Sequence, residues 1–176
     1  MRRNIKDQLE LGISILQHVE SQLNRADSKA QFTFTLDTLL IASSAFFGQG
    51  VTSNAALSST GPFLYLVATL SAAVFFALFI STIYALLAVI PRLTPKENAR
   101  NNIFYFGNIV QLKRENFVED YLDKSQGEIQ KMLMSEVYDL SIIAERKFSL
   151  VRVSHIFLFI SLGFWSILQT ILVLIP

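Results

Sequence analysis

The sequence has no cysteine, which excludes disulfides, thiolate nucleophiles and cysteine-ligated metals. Its four prolines are Pro62, Pro91, Pro95 and Pro176, and Pro91 with Pro95 argues against a continuous helix past Ile90. Phosphate-binding loops, a His-Glu-x-x-His helix, a nucleophile-elbow serine and a Cys–His pair are all missing. The Gly48–Gly50 GQG lacks the strand-to-helix context of a phosphate loop, and the carboxylates are scattered. These absences lead us to expect no enzyme, no metal site and no cofactor. Charge is also absent over long runs. Phe63–Ile90 has none, and Val153–Ile175 has only His155 as a titratable group. No apolar core followed by a small-residue cleavage site occurs near Met1, so no signal peptide is expected.

Hydrophobic residues make up 52% of the chain and charged ones 16%, an ordinary balance whose distribution decides the class. Two charge-free runs are long enough to cross a bilayer, and Gln31–Gly48 is a weaker third. The expected fold is all-α: an integral membrane protein with three transmembrane helices and a cytoplasmic helical layer. Its segments are an N-terminal cytoplasmic helix (1–30), first span (31–48), external loop (49–62), second span (63–90), cytoplasmic helical region (91–152) and third span (153–175). Lys and Arg occur only in 1–30 and 91–152. The positive-inside rule therefore places the N-terminus in the cytoplasm and Gln49–Pro62 outside. A net charge of +1 gives no reason to expect nucleic acid as a partner.

Leu9, Leu16, Leu23 and Ala30 recur every seven residues, and Ile5, Gly12, Val19 and Ala26 fill the alternate seam position. This stripe packs either on the protein's own helices or against a second protomer, while His18 faces away from it. No Gly or Pro interrupts Arg25–Phe47, so a charged helix is expected to run straight into the first span. No breaker interrupts Glu128–Leu162 either. Asp37 lies inside the first span, where an ionised carboxylate costs about 2.5–3.5 kcal/mol. It is either a neutral or paired structural aspartate or part of a polar path between helices. Gly61-Pro62 is expected to close the external loop. NNIFYFGNIVQL (Asn101–Leu112) is an apolar-aromatic patch, either packed or a contact surface, and Glu115–Asp123 can form a short helix.

Charged residues cluster where the first and last spans meet the basic side: Arg25, Asp27 and Lys29, then Glu145, Arg146, Lys147 and Arg152. They can form cross-helix ion pairs such as Lys29 with Glu145. Alternatively Arg25, Lys29, Arg146 or Lys147 holds the phosphate of a small anionic ligand.

RADSKA before the first span, NNIFYFGNI after the second and LSIIAERKFSLVRV leading into the last resemble the Pycsar membrane effectors, the PycTM family. The matching positions are Asp27, Ser28 and Lys29, then Asn102, Phe106 and Gly107, then Ser141, Lys147 and Arg152. The resemblance implies bacterial antiphage defence at the inner membrane. A partner cyclase would make cyclic CMP or cyclic UMP, and the effector would respond by disrupting the membrane and causing abortive infection. Three helices enclose no aqueous path, so a homo-oligomer is expected. The competing expectation is a passive membrane anchor or scaffold that recruits a cytoplasmic partner.

Overall fold

The computed structural model of the protein describes residues 5–53, 61–90, 102–111 and 113–174. Every described element is an α-helix: α1 Ile5–Ser53, α2 Gly61–Val89, α3 Phe106–Gln111, α4 Arg114–Asp123 and α5 Gln126–Leu174. Helices α1 and α5 have 49 residues each, or ~73 Å at 1.5 Å per residue. Both are continuous where their polar sequence becomes apolar, as expected from the lack of breakers.

The expected external loop is shorter than its composition suggested. Helix α1 passes Gly48 and Gly50 and ends at Ser53. Gly61 and Pro62 open α2 rather than closing a loop. Glycine costs a helix only about 1 kcal/mol, and proline is tolerated in a first turn, where no intrahelical N–H bond is lost. The remainder of that connector, residues 54–60, and most of the charged linker after Pro91 lie outside the described residues.

The chain divides into two compact units. The first comprises Met1–Arg25 and Pro91–Arg146; the second comprises Ala26–Ile90 and Lys147–Pro176.

In the first unit, Gly12 permits a close approach between α1 and α5. A Cβ there would lie 2.8 Å from a Leu133 methyl carbon, and Leu133 and Val137 are buried. Helix α5 starts with a capping box. The Ser125 hydroxyl and amide donate to Glu128 at 2.7 and 2.8 Å, and the Glu128 amide donates back to Ser125 Oγ at 3.3 Å. The Ser125 hydroxyl, then its amide, hold the Glu128 carboxyl below its usual 4.5. Asn102 ties the preceding segment down. Its Oδ1 accepts from the Phe104 amide at 3.0 Å, and its Nδ2 donates to Glu136 at 2.9 Å. The Tyr105 ring folds back over Gly107, where an added Cβ would meet it at 2.6 Å. The NNIFYFGNI segment is thus a packed turn leading into α3, although Val110 is left exposed.

The second unit contains the rest of α1, all of α2 and the rest of α5. Ala30, Ala88 and Val151, one from each helix, form its buried cluster. Small residues allow the backbones to approach closely. Along every long helix the buried and half-buried positions alternate steps of three and four. In α1 the seam read up to Ala30 continues through Thr33, Asp37, Leu40 and Ser44. In α5 it runs from Gln130 to Leu172, and in α2 from Val67 to Ala88. A sustained 3.5-residue period is that of left-handed coiled-coil packing.

Among the described residues, α2 and α5 are the helices long and apolar enough to cross a membrane, and α1 is not. Asp37 and the hydroxyls of residues 31–48 account for the difference. Only 22% of the apolar stretch in α2 and 17% of that in α5 is buried within the chain, unlike the core helices of a soluble protein.

Candidate functional site

The charged residues picked out in the sequence fall in both units. Arg25 and Arg146 belong to the first and are exposed. Lys29 and Lys147 belong to the second, with different surroundings. Lys147 Nζ donates to Asp27 Oδ1 at 2.5 Å, joining α1 to α5 across 120 residues of sequence. The Lys29 ammonium instead lies over the Phe148 ring, 5.5 Å from its centroid. The cross-helix pair observed is therefore Asp27–Lys147, not the anticipated Lys29–Glu145. Helical phase explains the choice. Lys147 stands on the α5 seam and Asp27 beside the α1 seam, whereas Lys29 is rotated off it. Asp27, Lys29, Lys147 and Phe148 thus form one cluster at this end of the unit. Arg152 is exposed beside it.

Of the other positions matched in the resemblance, Asn102 and Gly107 shape the α3 turn described above. The Ser141 hydroxyl bonds back to the Val137 carbonyl at 2.7 Å. The Phe106 side chain lies outside the described residues.

Deeper in the second unit, several polar groups are buried beside Val74, Leu78 and Leu158, while large aromatic side chains lie outside. Thr33, Asp37, Ser81, Ser154 and Ser161 are essentially fully buried. Phe32, Phe76, Phe79 and Phe159 are mostly exposed, Phe76 to 67% and Phe159 to 70%. The burial of Thr33 and Ser161 is inexpensive, because each donates to a carbonyl of its own helix. Ser81 and Ser154 form a reciprocal clamp. Ser81 Oγ donates to the Ser154 carbonyl at 3.1 Å, and Ser154 Oγ to the Ser81 carbonyl at 2.9 Å. Asp37 Oδ2 accepts from Thr82 Oγ1 at 3.1 Å, and Oδ1 has no hydrogen-bond partner among the described residues.

Sequence reasoning singled out Asp37 but missed Ser81, Thr82 and Ser154. Their signal was phase. Carrying the three-four stripe through the apolar runs places Asp37, Ser81 and Ser154 all on the inward face.

Two membrane-length apolar helices that leave most of their apolar stretch exposed, with a few hydroxyls and one carboxylate buried between the helices, point to a membrane-type α-helical protein. Comparison with family models matches residues 13–175 to PycTM, described as the Pycsar effector protein domain. The chain belongs to this family. It is thus a Pycsar effector of antiphage defence, functionally linked to a cyclase and its cyclic nucleotide. Searches of curated proteins and of solved structures give no match.

Proposed function

We propose that the protein crosses the bacterial inner membrane three times, binds cyclic CMP or cyclic UMP at its charged helix ends, and impairs the membrane without catalysis. The observation that carries this reading is the exposure of large apolar side chains around the second unit while Thr33, Asp37, Ser81, Ser154 and Ser161 are buried within it. In water, its exposed phenylalanines would forfeit about 1.5–3 kcal/mol each; in lipid they are solvated. The same pattern extends to α1, whose Phe32 and Leu39 face outward while Thr33 and Asp37 face inward. This supports α1 as the third span despite its modest apolarity. The confinement of Lys and Arg to 1–30 and 91–152 supports a cytoplasmic N-terminus.

Arg25, Lys29, Arg146 or Lys147 is the candidate phosphate contact, the first and third in one unit and the other two in the second. A cyclic nucleotide's phosphodiester carries one negative charge, as the Asp27 carboxylate does. It can therefore replace Asp27 as the partner of Lys147 and release α1 from α5. Binding shifts the equilibrium only if the released arrangement holds the nucleotide more tightly. Several protomers together would surround an opening, with Asp37 on the polar path.

The test uses purified protein in phosphatidylethanolamine–phosphatidylglycerol vesicles loaded with KCl. Ion efflux should begin on addition of cyclic CMP or cyclic UMP and not with AMP. Replacing Arg25, Lys29 or Arg146 by Ala should raise the nucleotide concentration required by roughly 10- to 100-fold where the side chain contacts phosphate, matching a charge-assisted hydrogen bond. Intact vesicles with either nucleotide would reject the effector reading in favour of a scaffold.

A further inference from the structure

Asp37 carries a formal charge, is 1% exposed and leaves Oδ1 without a donor. The groups facing it are the Ser81 and Thr82 hydroxyls of α2. Lys29, on the same helix, is eight residues away, about 12 Å along the axis. The other deeply buried polar side chains of the unit, Thr33, Ser81, Ser154 and Ser161, are neutral hydroxyls. Among the described residues, the buried polar groups of this unit are therefore carboxylate and hydroxyl oxygens, with no buried cation, set among apolar side chains such as Val74 and Leu78. An asparagine would fill the same space without the charge, so packing does not explain the carboxylate.

The three helix contacts also differ in strength. Helices α2 and α5 are held by the reciprocal Ser81–Ser154 clamp. Between α1 and α2, Thr82 Oγ1 donates to Asp37 Oδ2. Beside it lies a groove of about 320 Å³ lined by Gln31, Phe34, Thr35, Ala85, Leu86 and Val89. At the end of the unit, α1 is tied to α5 by Asp27–Lys147. The span in α1 is the least apolar of the three, so contact with water costs it least.

We propose that α1 is the helix that moves, that its movement brings Asp37 to the wall of the opening, and that Asp37 makes the opening selective for small monovalent cations over anions. This deepens the proposed function and rests on it. In water a carboxyl ionises as aspartates ordinarily do. Repeated in each protomer, Asp37 becomes a ring of negative charge, and such rings select cations in channels. The oxygens of Asp37 and its neighbouring hydroxyls suit hard cations such as potassium and sodium.

The experiment is a reversal-potential measurement across a planar phosphatidylethanolamine–phosphatidylglycerol bilayer with a KCl gradient, after addition of cyclic CMP or cyclic UMP. The native protein should favour K⁺ over Cl⁻ by roughly tenfold, equivalent to about 1.4 kcal/mol. Asp37→Asn should bring the ratio close to one while nucleotide-dependent current persists, and Asp37→Glu should retain most of the preference. Passage of a fluorescent dye as readily as K⁺ by the native protein would overturn the inference and leave the effector reading intact. So would an unchanged ratio in Asp37→Asn. Absence of nucleotide-dependent current in the native protein would overturn both.

Discussion

Asp27 and Lys147 show how one ion pair can hold two distant helices in register. The Lys147 side chain is 15% exposed and that of Asp27 32%, so the pair is partly shielded and contributes about 1 kcal/mol. Asp27→Asn or Lys147→Met should lower the thermal midpoint of the detergent-solubilised protein by a few degrees. If Lys147 exchanges Asp27 for phosphate, the two variants part in function. Asp27→Asn should leak at lower nucleotide concentration, and Lys147→Met should need more. Equal shifts in the same direction in the vesicle assay would show that the pair is purely structural. At this scale the sequence picked out Asp27 and Lys147 among its boundary charges. It did not name their partners, because pairing depends on how two helices are rotated about their axes, and a single helix carries no record of its neighbour's rotation.

At the scale of elements, the long helices follow from what the chain omits. With no proline between Met1 and Pro62 or between Pro95 and Pro176, backbone hydrogen bonding continues from the charged ends of α1 and α5 into their apolar runs. The approach of α1 to α5 depends on Gly12. A methyl group there would press on Leu133 at 2.8 Å, and such overpacking costs about 1–3 kcal/mol. Gly12→Ala should therefore destabilise the protein in thermal unfolding. In a Leu133→Ala background the same change should be neutral or stabilising, since alanine is a better helix former than glycine by about 1 kcal/mol and the obstructing side chain is gone. Equal effects in both backgrounds would place the cost elsewhere. The heptad stripe was legible as far as Ala30. Its continuation was hidden because Thr33, Asp37 and Ser44 do not register as core residues when a core is assumed to be apolar.

For the whole molecule, the absence of native cysteine makes single-cysteine accessibility a direct test of orientation. With cells or oriented vesicles, Asn54→Cys should react with a membrane-impermeant maleimide from outside, and Ser125→Cys only after permeabilisation. The reverse pattern would invert the proposed topology and separate the charged helix ends from a cytoplasmic nucleotide. By itself the sequence determined the helical class, the two strongest membrane-length runs, the basic side and the family likeness. Each of these depends on composition and local period, which a chain carries whatever its neighbours are. Only the tertiary structure decided that Lys147 joins Asp27 and that Ser81 clamps Ser154. It also decided that Asp37 faces inward beside Thr82 with one oxygen unmatched. Those facts depend on which face of each rod meets the next, and that is settled by packing three helices at once.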